Sequence, residues 1–293
     1  MPLLSDSALA QLSKLQLTAK QIVEGFLVGL HKSPYHGFSV EFADHRQYNP
    51  GESLRNVDWK IVAKTERYYV KRYEEETNLR GYILLDHSKS MFYASGSKTK
   101  IDYAKELAAS LAWLMIGQKD AAGLICFNNR ITSTLPPKAY RSYTAQIFKA
   151  LLELKAEDKT DILTPLHKIA EGLKKRGLII LISDLMEEPE KILAALKHFR
   201  SHRHEVLVFH LFDPQEAEFE FKRETEFIDS ESGEKIIVNP WQIRREYREY
   251  YSTFYQDLKN ACHQYQIEYN PVSIDEPIDK LLLRYLIKRK KGL

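Results

Sequence analysis

Long apolar runs are missing from this sequence. Its longest, such as "GLIILIS" and "EVLVFHLF", fall far short of the roughly 20 residues that cross a bilayer. The first residues, "MPLLSDSALAQLSK", carry no basic-then-apolar leader. The reading is therefore a protein without a membrane span. Cysteine is also scarce. Cys126 and Cys262 stand far apart and without metal-ligand spacing, which excludes a disulfide framework and predicts buried, reduced thiols in a cytoplasmic protein. Charge of one sign is lacking too: 43 basic against 40 acidic residues leave a net charge of +3. Nucleic-acid binders concentrate a basic face, and the only dense run here is "LIKRKKGL" at the end. That run is read as cations complementing the negative end of a last helix, "EPIDKLLLRYLIKRKK".

What is present is the makeup of a globular protein: 293 residues, 44% hydrophobic and 28% charged, enough for one large or two modest domains. Residues 1–78 read as a helix, "DSALAQLSKLQLTAKQIVEGFL", followed by irregular or strand structure with a turn at "NPGES" and an alternating stretch "RYYVKRYEEE". From Leu79 to the end the pattern changes. Short apolar strands ("RGYILLD", "AAGLICF", "GLIILISD", "HEVLVFHLFD") alternate with amphipathic helices such as "TKIDYAKELAASLAWLMIGQ" and "PEKILAALKHFRS". Strands apolar throughout, separated by helices, predict an α/β fold: a doubly wound, mostly parallel sheet covered by helices on both faces. A hairpin turning at Ser232-Gly233, a long helix rich in tyrosine and a final strand, "QIEYNPVS", complete the chain. The tyrosines read as a packing surface.

In a doubly wound sheet, ligands bind outside the carboxyl ends of the strands. Asp86 ends the first such strand, in "LLDHSKS", with Ser88 and Ser90 following at alternate positions. Asp184 ends "LIILISD", and Thr160 and Asp161 lie in a loop before a helix. The set is all oxygen. Hard divalent cations, Mg²⁺ above all, take oxygen ligands at roughly 2.0 to 2.1 Å. Hydroxyl ligands add no charge, so such an ion retains the power to accept a carboxylate from another molecule. The alternative is a plain strand-to-helix turn whose small polar side chains cap backbone amides; Asp161 is read as an N-cap or an acceptor behind the ligands.

The order Asp86-x-Ser88-x-Ser90, then Thr160, then Asp184 resembles the metal-ion-dependent adhesion site of von Willebrand factor A (vWA) domains. The resemblance implies a metal held by Asp86, Ser88, Ser90, Thr160 and Asp184, the aspartates acting directly or through water. The preceding segment is similar to the signature of the bacterial domain of unknown function 58 family, through Gly37, Glu41, Phe42, Arg46, Tyr48, Pro50-Gly51, Arg55, Asp58-Trp59, Lys71 and Glu75; "FIDSESGEKIIV" resembles that family's later hairpin. Members are commonly paired with MoxR-type AAA+ ATPases. The resemblance therefore implies an adaptor or chaperone-like role.

Two functions from different classes follow. One is a Mg²⁺-completed binding module that grips an acidic residue of a MoxR-type AAA+ ATPase or its client. The other is a metal-dependent phosphate-ester hydrolase. The second needs a water-activating base, and His87, the nearby candidate, should point away from Asp86 in an extended run; binding is preferred over catalysis. His198 and His202, four apart on a helix, invite a transition metal but show no third ligand in the sequence. "SGSKT" is not a phosphate loop, because Met91 stands where its first glycine is needed. Arg46, Arg55, Asp58 and Trp59 are read as a cluster clamping the N-terminal part onto the sheet.

Overall fold

The computed structural model describes residues 6–32, 45–47, 69–71, 79–156, 162–221, 225–228 and 235–290. In chain order the elements are α1 (Asp6–Lys32), β1 (His45–Gln47), β2 (Tyr69–Lys71), β3 (Arg80–Asp86), a short 3₁₀ turn (Lys89–Phe92) and α2 (Lys100–Gly117). Next come β4 (Ala121–Phe127), β5 (Ile131–Lys138), α3 (Tyr143–Leu152), α4 (Leu163–Gly172), β6 (Leu178–Ser183), α5 (Pro189–Ser201) and β7 (Glu205–Phe212). The remainder is α6 (Pro214–Glu218), β8 (Thr225–Ile228), β9 (Lys235–Val238), α7 (Pro240–Gln264), β10 (Glu268–Ser273) and α8 (Ile278–Lys290).

Six strands form one sheet in the order β10-β7-β6-β3-β4-β5. All neighbours are parallel except β4 and β5, so the α/β architecture expected from the alternating pattern is the one observed. Alternation along each strand sorts the core into two layers. Ile83, Leu85, Ile180, Ile182, Phe209 and Leu211 face a layer that includes α2, α3 and α8. Tyr82, Leu84, Ile179, Leu181, Val206 and Val208 face a layer that includes α4, α5 and α7. Burial of one such aliphatic side chain contributes about 1.5–3 kcal/mol, which explains why strands with almost no polar residue occupy the centre. Leu15 and Ala19 of α1, one turn apart, join the first layer, so that helix lies against the sheet domain.

The antiparallel edge strand β5 is not legible as a strand from the sequence. "ITSTLPPK" has an exposed-to-intermediate pattern throughout and two prolines, Pro136 and Pro137. The ladder to β4 is irregular between Ala122 and Leu124. Gly123 lies there because a Cβ would stand 2.8 Å from both the Leu135 carbonyl and the Pro137 nitrogen. On the opposite edge β10 also carries a proline, Pro271. The helix expected over "LTPLHKIAEGLKKR" stops at Gly172. β8 and β9 pair antiparallel as the hairpin reading requires. Ser232-Gly233, the "NPGES" turn, Arg55, Asp58, Trp59, Thr160 and Asp161 lie outside the described residues, as does the Arg46 side chain.

Candidate functional site

Parallel pairing brings the carboxyl ends of β3, β6 and β7 to one edge: Leu85 is level with Ile182, and Ser183 with His210. Period-2 alternation then puts Asp86, Ser183 and His210 on the same side as Leu84, Leu181 and Val208. At the end of β3, Asp86 is 1% exposed. Its Oδ1 accepts the Ser88 backbone N–H at 2.8 Å, and its Oδ2 accepts the Ser183 hydroxyl at 2.6 Å. The Ser88 and Ser90 hydroxyls stand 3.1 Å apart and bond each other. Ser88 precedes the 3₁₀ turn without capping it through its side chain. The turn-capping alternative is thus half realised: the aspartate closes a local turn, while the serine hydroxyls turn toward each other.

Burial, with the charge of Asp184 adding to it, pushes the Asp86 carboxyl up to about 7 against the opposing hydrogen bonds from Ser183 and Ser88. Among the described residues no ion pair reaches Asp86. This is a test of fit for a hard cation: a buried carboxylate short of positive charge, beside two hydroxyl oxygens spaced close to the roughly 2.9 Å that separates neighbouring ligands of an octahedral Mg²⁺. Asp86, Ser88 and Ser90 fit.

Asp184 is differently placed. It follows β6, 3% exposed, and its Oδ2 lies 2.9 Å from Lys100 Nζ, an ion pair with no aligned hydrogen bond on that oxygen. Lys100, itself fully buried, also meets both oxygens of Glu216 at 2.9 Å. Burial alone would lower its pKa, but the two carboxylates outweigh it and hold the ammonium charged. The backbone turns sharply after Asp184: Leu185 has φ +46°, an uncommon conformation for a branched apolar residue, and its N–H donates to the Ser183 hydroxyl at 3.0 Å. One serine therefore ties the Asp86 carboxylate to the bend that presents Asp184.

Behind the edge, His210 donates from Nε2 to the Asp184 carbonyl at 2.8 Å and accepts the Tyr269 hydroxyl at Nδ1 at 2.5 Å. Burial pulls its pKa down to about 4, so the ring is neutral. Tyr255 stacks on it with centroids 4.4 Å apart, and Tyr251 and Tyr247 continue the stack along α7. Tyr247, Tyr251 and Tyr255 form the packing surface their spacing suggested, whereas Tyr250 stays exposed. His87 turns toward β5 and the segment after α3: Nδ1 donates to the Lys155 carbonyl at 3.0 Å, and Nε2 lies 2.8 Å from the Thr132 hydroxyl. Burial pushes both thiols, Cys126 and Cys262, up to about 12, consistent with inert core positions.

The structure thus brings Asp86, Ser88, Ser90 and Asp184 to one edge. Sequence reasoning missed Ser183, Lys100, Glu216 and His210. For Lys100 a signal existed: it falls on the stripe Ala104, Leu107, Ala108 and Leu111 that α2 buries. His198 does acquire a neighbour, its Nδ1 lying 3.0 Å from His167 Nδ1. Among the described residues, however, no three His, Cys, Asp or Glu side chains stand at metal-binding spacing, and no helix is long and apolar enough to cross a membrane.

Residues 44–257 match the family described as Protein of unknown function DUF58. The chain is 26% identical over 227 residues to "Uncharacterized protein Rv1480" of Mycobacterium tuberculosis, covering 76% of this chain and 71% of that one, and equally to "Uncharacterized protein Mb1516" of Mycobacterium bovis. Similar solved structures include an aerotolerance-related membrane protein from Bacteroides fragilis (16% identity, 73% of this chain and 100% of that one, TM-score 0.49). They also include the SpRpn10 VWA domain (13% identity, 70% of this chain and 93% of that one, TM-score 0.40).

Proposed function

The chain belongs to the family described as Protein of unknown function DUF58, and within it we propose that this protein is a binding module whose contact surface is completed by Mg²⁺ at the carboxyl edge of the sheet. Asp86, Ser88 and Ser90 would hold the ion, with Thr160, which lies outside the described residues, as the further hydroxyl that the family resemblance implies and Asp184 acting through water. When bound, the ion supplies a Lewis-acidic contact for an incoming carboxylate. The protein's own part is to orient the oxygens: Ser183 fixes the Asp86 carboxylate, and the Asp86–Ser88 turn sets the spacing of the two hydroxyls. The observation that carries the reading is a buried carboxylate that no cation among the described residues reaches, on the same short turn as a pair of hydroxyls 3.1 Å apart.

The partner proposed is a protein with an exposed acidic residue, a MoxR-type AAA+ ATPase or its client, met in the cytoplasm. Binding is favoured over phosphate-ester hydrolysis because His87 commits its two ring nitrogens to Lys155 and Thr132 and so cannot serve as the base a metal-bound water needs. The test is capture of partners from a lysate of the native organism by purified protein, with and without chelator. Wild type should lose specific partners on chelation, and Asp86→Ala and Ser88→Ala should fail to capture them while keeping a native circular dichroism spectrum. Capture by both variants that ignores the chelator would sink the reading.

A further inference from the structure

Lys100 occupies a position that two physical effects oppose. It is the first residue of α2, where the helix dipole presents its positive end, and its side chain is 0% exposed, which withdraws an ammonium from water. The carboxylates hold it there: Glu216 with two oxygens and Asp184 with one, each at 2.9 Å. The cage is braced from outside. Asp213 caps α6, the short helix carrying Glu216, and it accepts both the backbone N–H and the hydroxyl of Ser95, at 2.8 and 2.6 Å, from the loop leading into Lys100.

We infer that Lys100 is a built-in competitor for Asp184 that holds down the site's own affinity for a divalent ion; this rests on the metal reading proposed above. The affinity of an oxygen site for a hard cation follows the number of negative charges among its ligands and the rigidity of the cage. Ser88 and Ser90 contribute none, Asp86 contributes one, and the charge of Asp184 is already shared with an ammonium in contact with it. An arriving ion is repelled by that ammonium and finds Asp184 only partly available. An acidic group from a partner then makes up the missing charge, which links occupancy of the ion to presence of the partner. Glu216 is the counterweight: it keeps Lys100 in place whether or not Asp184 turns toward an ion.

The test is a titration of the full-length, chelator-treated protein with Mn²⁺ as the hard-cation probe, reading loss of the free-ion electron paramagnetic resonance signal. Four proteins are compared: wild type, Asp86→Asn, the double variant Lys100→Met with Glu216→Gln, and that double variant with Asp86→Asn added. The double variant removes one charge of each sign, keeps the local net charge and leaves no orphaned glutamate; circular dichroism checks its fold. Affinity in the double variant should rise about tenfold or more over wild type, and Asp86→Asn should abolish the gain. An affinity equal to or below that of wild type overturns the role of Lys100 while the metal reading stands. Absence of binding in both wild type and the double variant overturns the metal reading and this inference together.

Discussion

Two aspartates end neighbouring parallel strands at the same edge of the sheet, and the molecule treats them in opposite ways. Among the described residues the hydrogen bonds to the Asp86 carboxylate come from neutral donors, the Ser88 amide and the Ser183 hydroxyl. Around Asp184 the partner is a buried cation held by a second carboxylate. Both carboxylates are as buried as the core beside them. The difference teaches that burial alone does not decide what a carboxylate is for: one is compensated by a buried lysine, and the other has hydrogen bonds but no counter-charge among the described residues, the state in which an external cation gains most.

The comparison breaks most visibly at Lys100. Lys100→Met should destabilise the protein by about 3–5 kcal/mol, since it leaves Asp184 and Glu216 buried without their cation; chemical denaturation followed by circular dichroism measures it. Next comes the pH dependence of the metal-free protein. Asp86 has a folded value of about 7 against 3.8 unfolded, so between those values the folded state holds more protons. Stability should therefore fall as pH rises from about 4 to 7, by up to about 1.4 kcal/mol per pH unit. Asp86→Asn should flatten that slope, and Mg²⁺ should raise stability above pH 7 in wild type alone; thermal melts in chelator and in Mg²⁺ read both.

Ser183→Ala sharpens the contrast by removing the hydroxyl from Asp86. It should cost about 1.5–3 kcal/mol above pH 7, where the carboxylate is charged, and less at pH 5; a native protein indifferent to this change at both pH values would speak against the Asp86–Ser183 bond. The smallest effect belongs to Tyr269→Phe, which takes the donor from His210 Nδ1 and should cost about 1 kcal/mol. Its effect should be unchanged by Mg²⁺, because it lies behind Asp184 and not among the oxygens facing the edge.

Much of the fold was legible because each central strand is apolar on both faces, a pattern only a covered parallel sheet explains. The strand ends could be read for the same reason: a polar residue that breaks such a run, Asp86 or Asp184, marks where the strand leaves the core. What escaped was set by contacts distant in sequence. Lys100 stands on the apolar stripe of its helix, but the partners that make its burial possible, Asp184 and Glu216, lie 84 and 116 residues away in the chain. Ser183 looks like a strand terminus, yet its hydroxyl reaches across 97 residues to Asp86. β5 was missed because its prolines argue against a central strand, an argument that an edge position removes.

Those same prolines limit how another protein can approach. Pro136 and Pro137 on β5 and Pro271 on β10 each lack an amide hydrogen, so neither flank of the sheet offers an unbroken row of donors for a visiting peptide to extend. Lateral strand addition and fibre-like stacking of copies are both discouraged. A visitor is steered to the end of the sheet, where side chains make the contact and main-chain ladders do not.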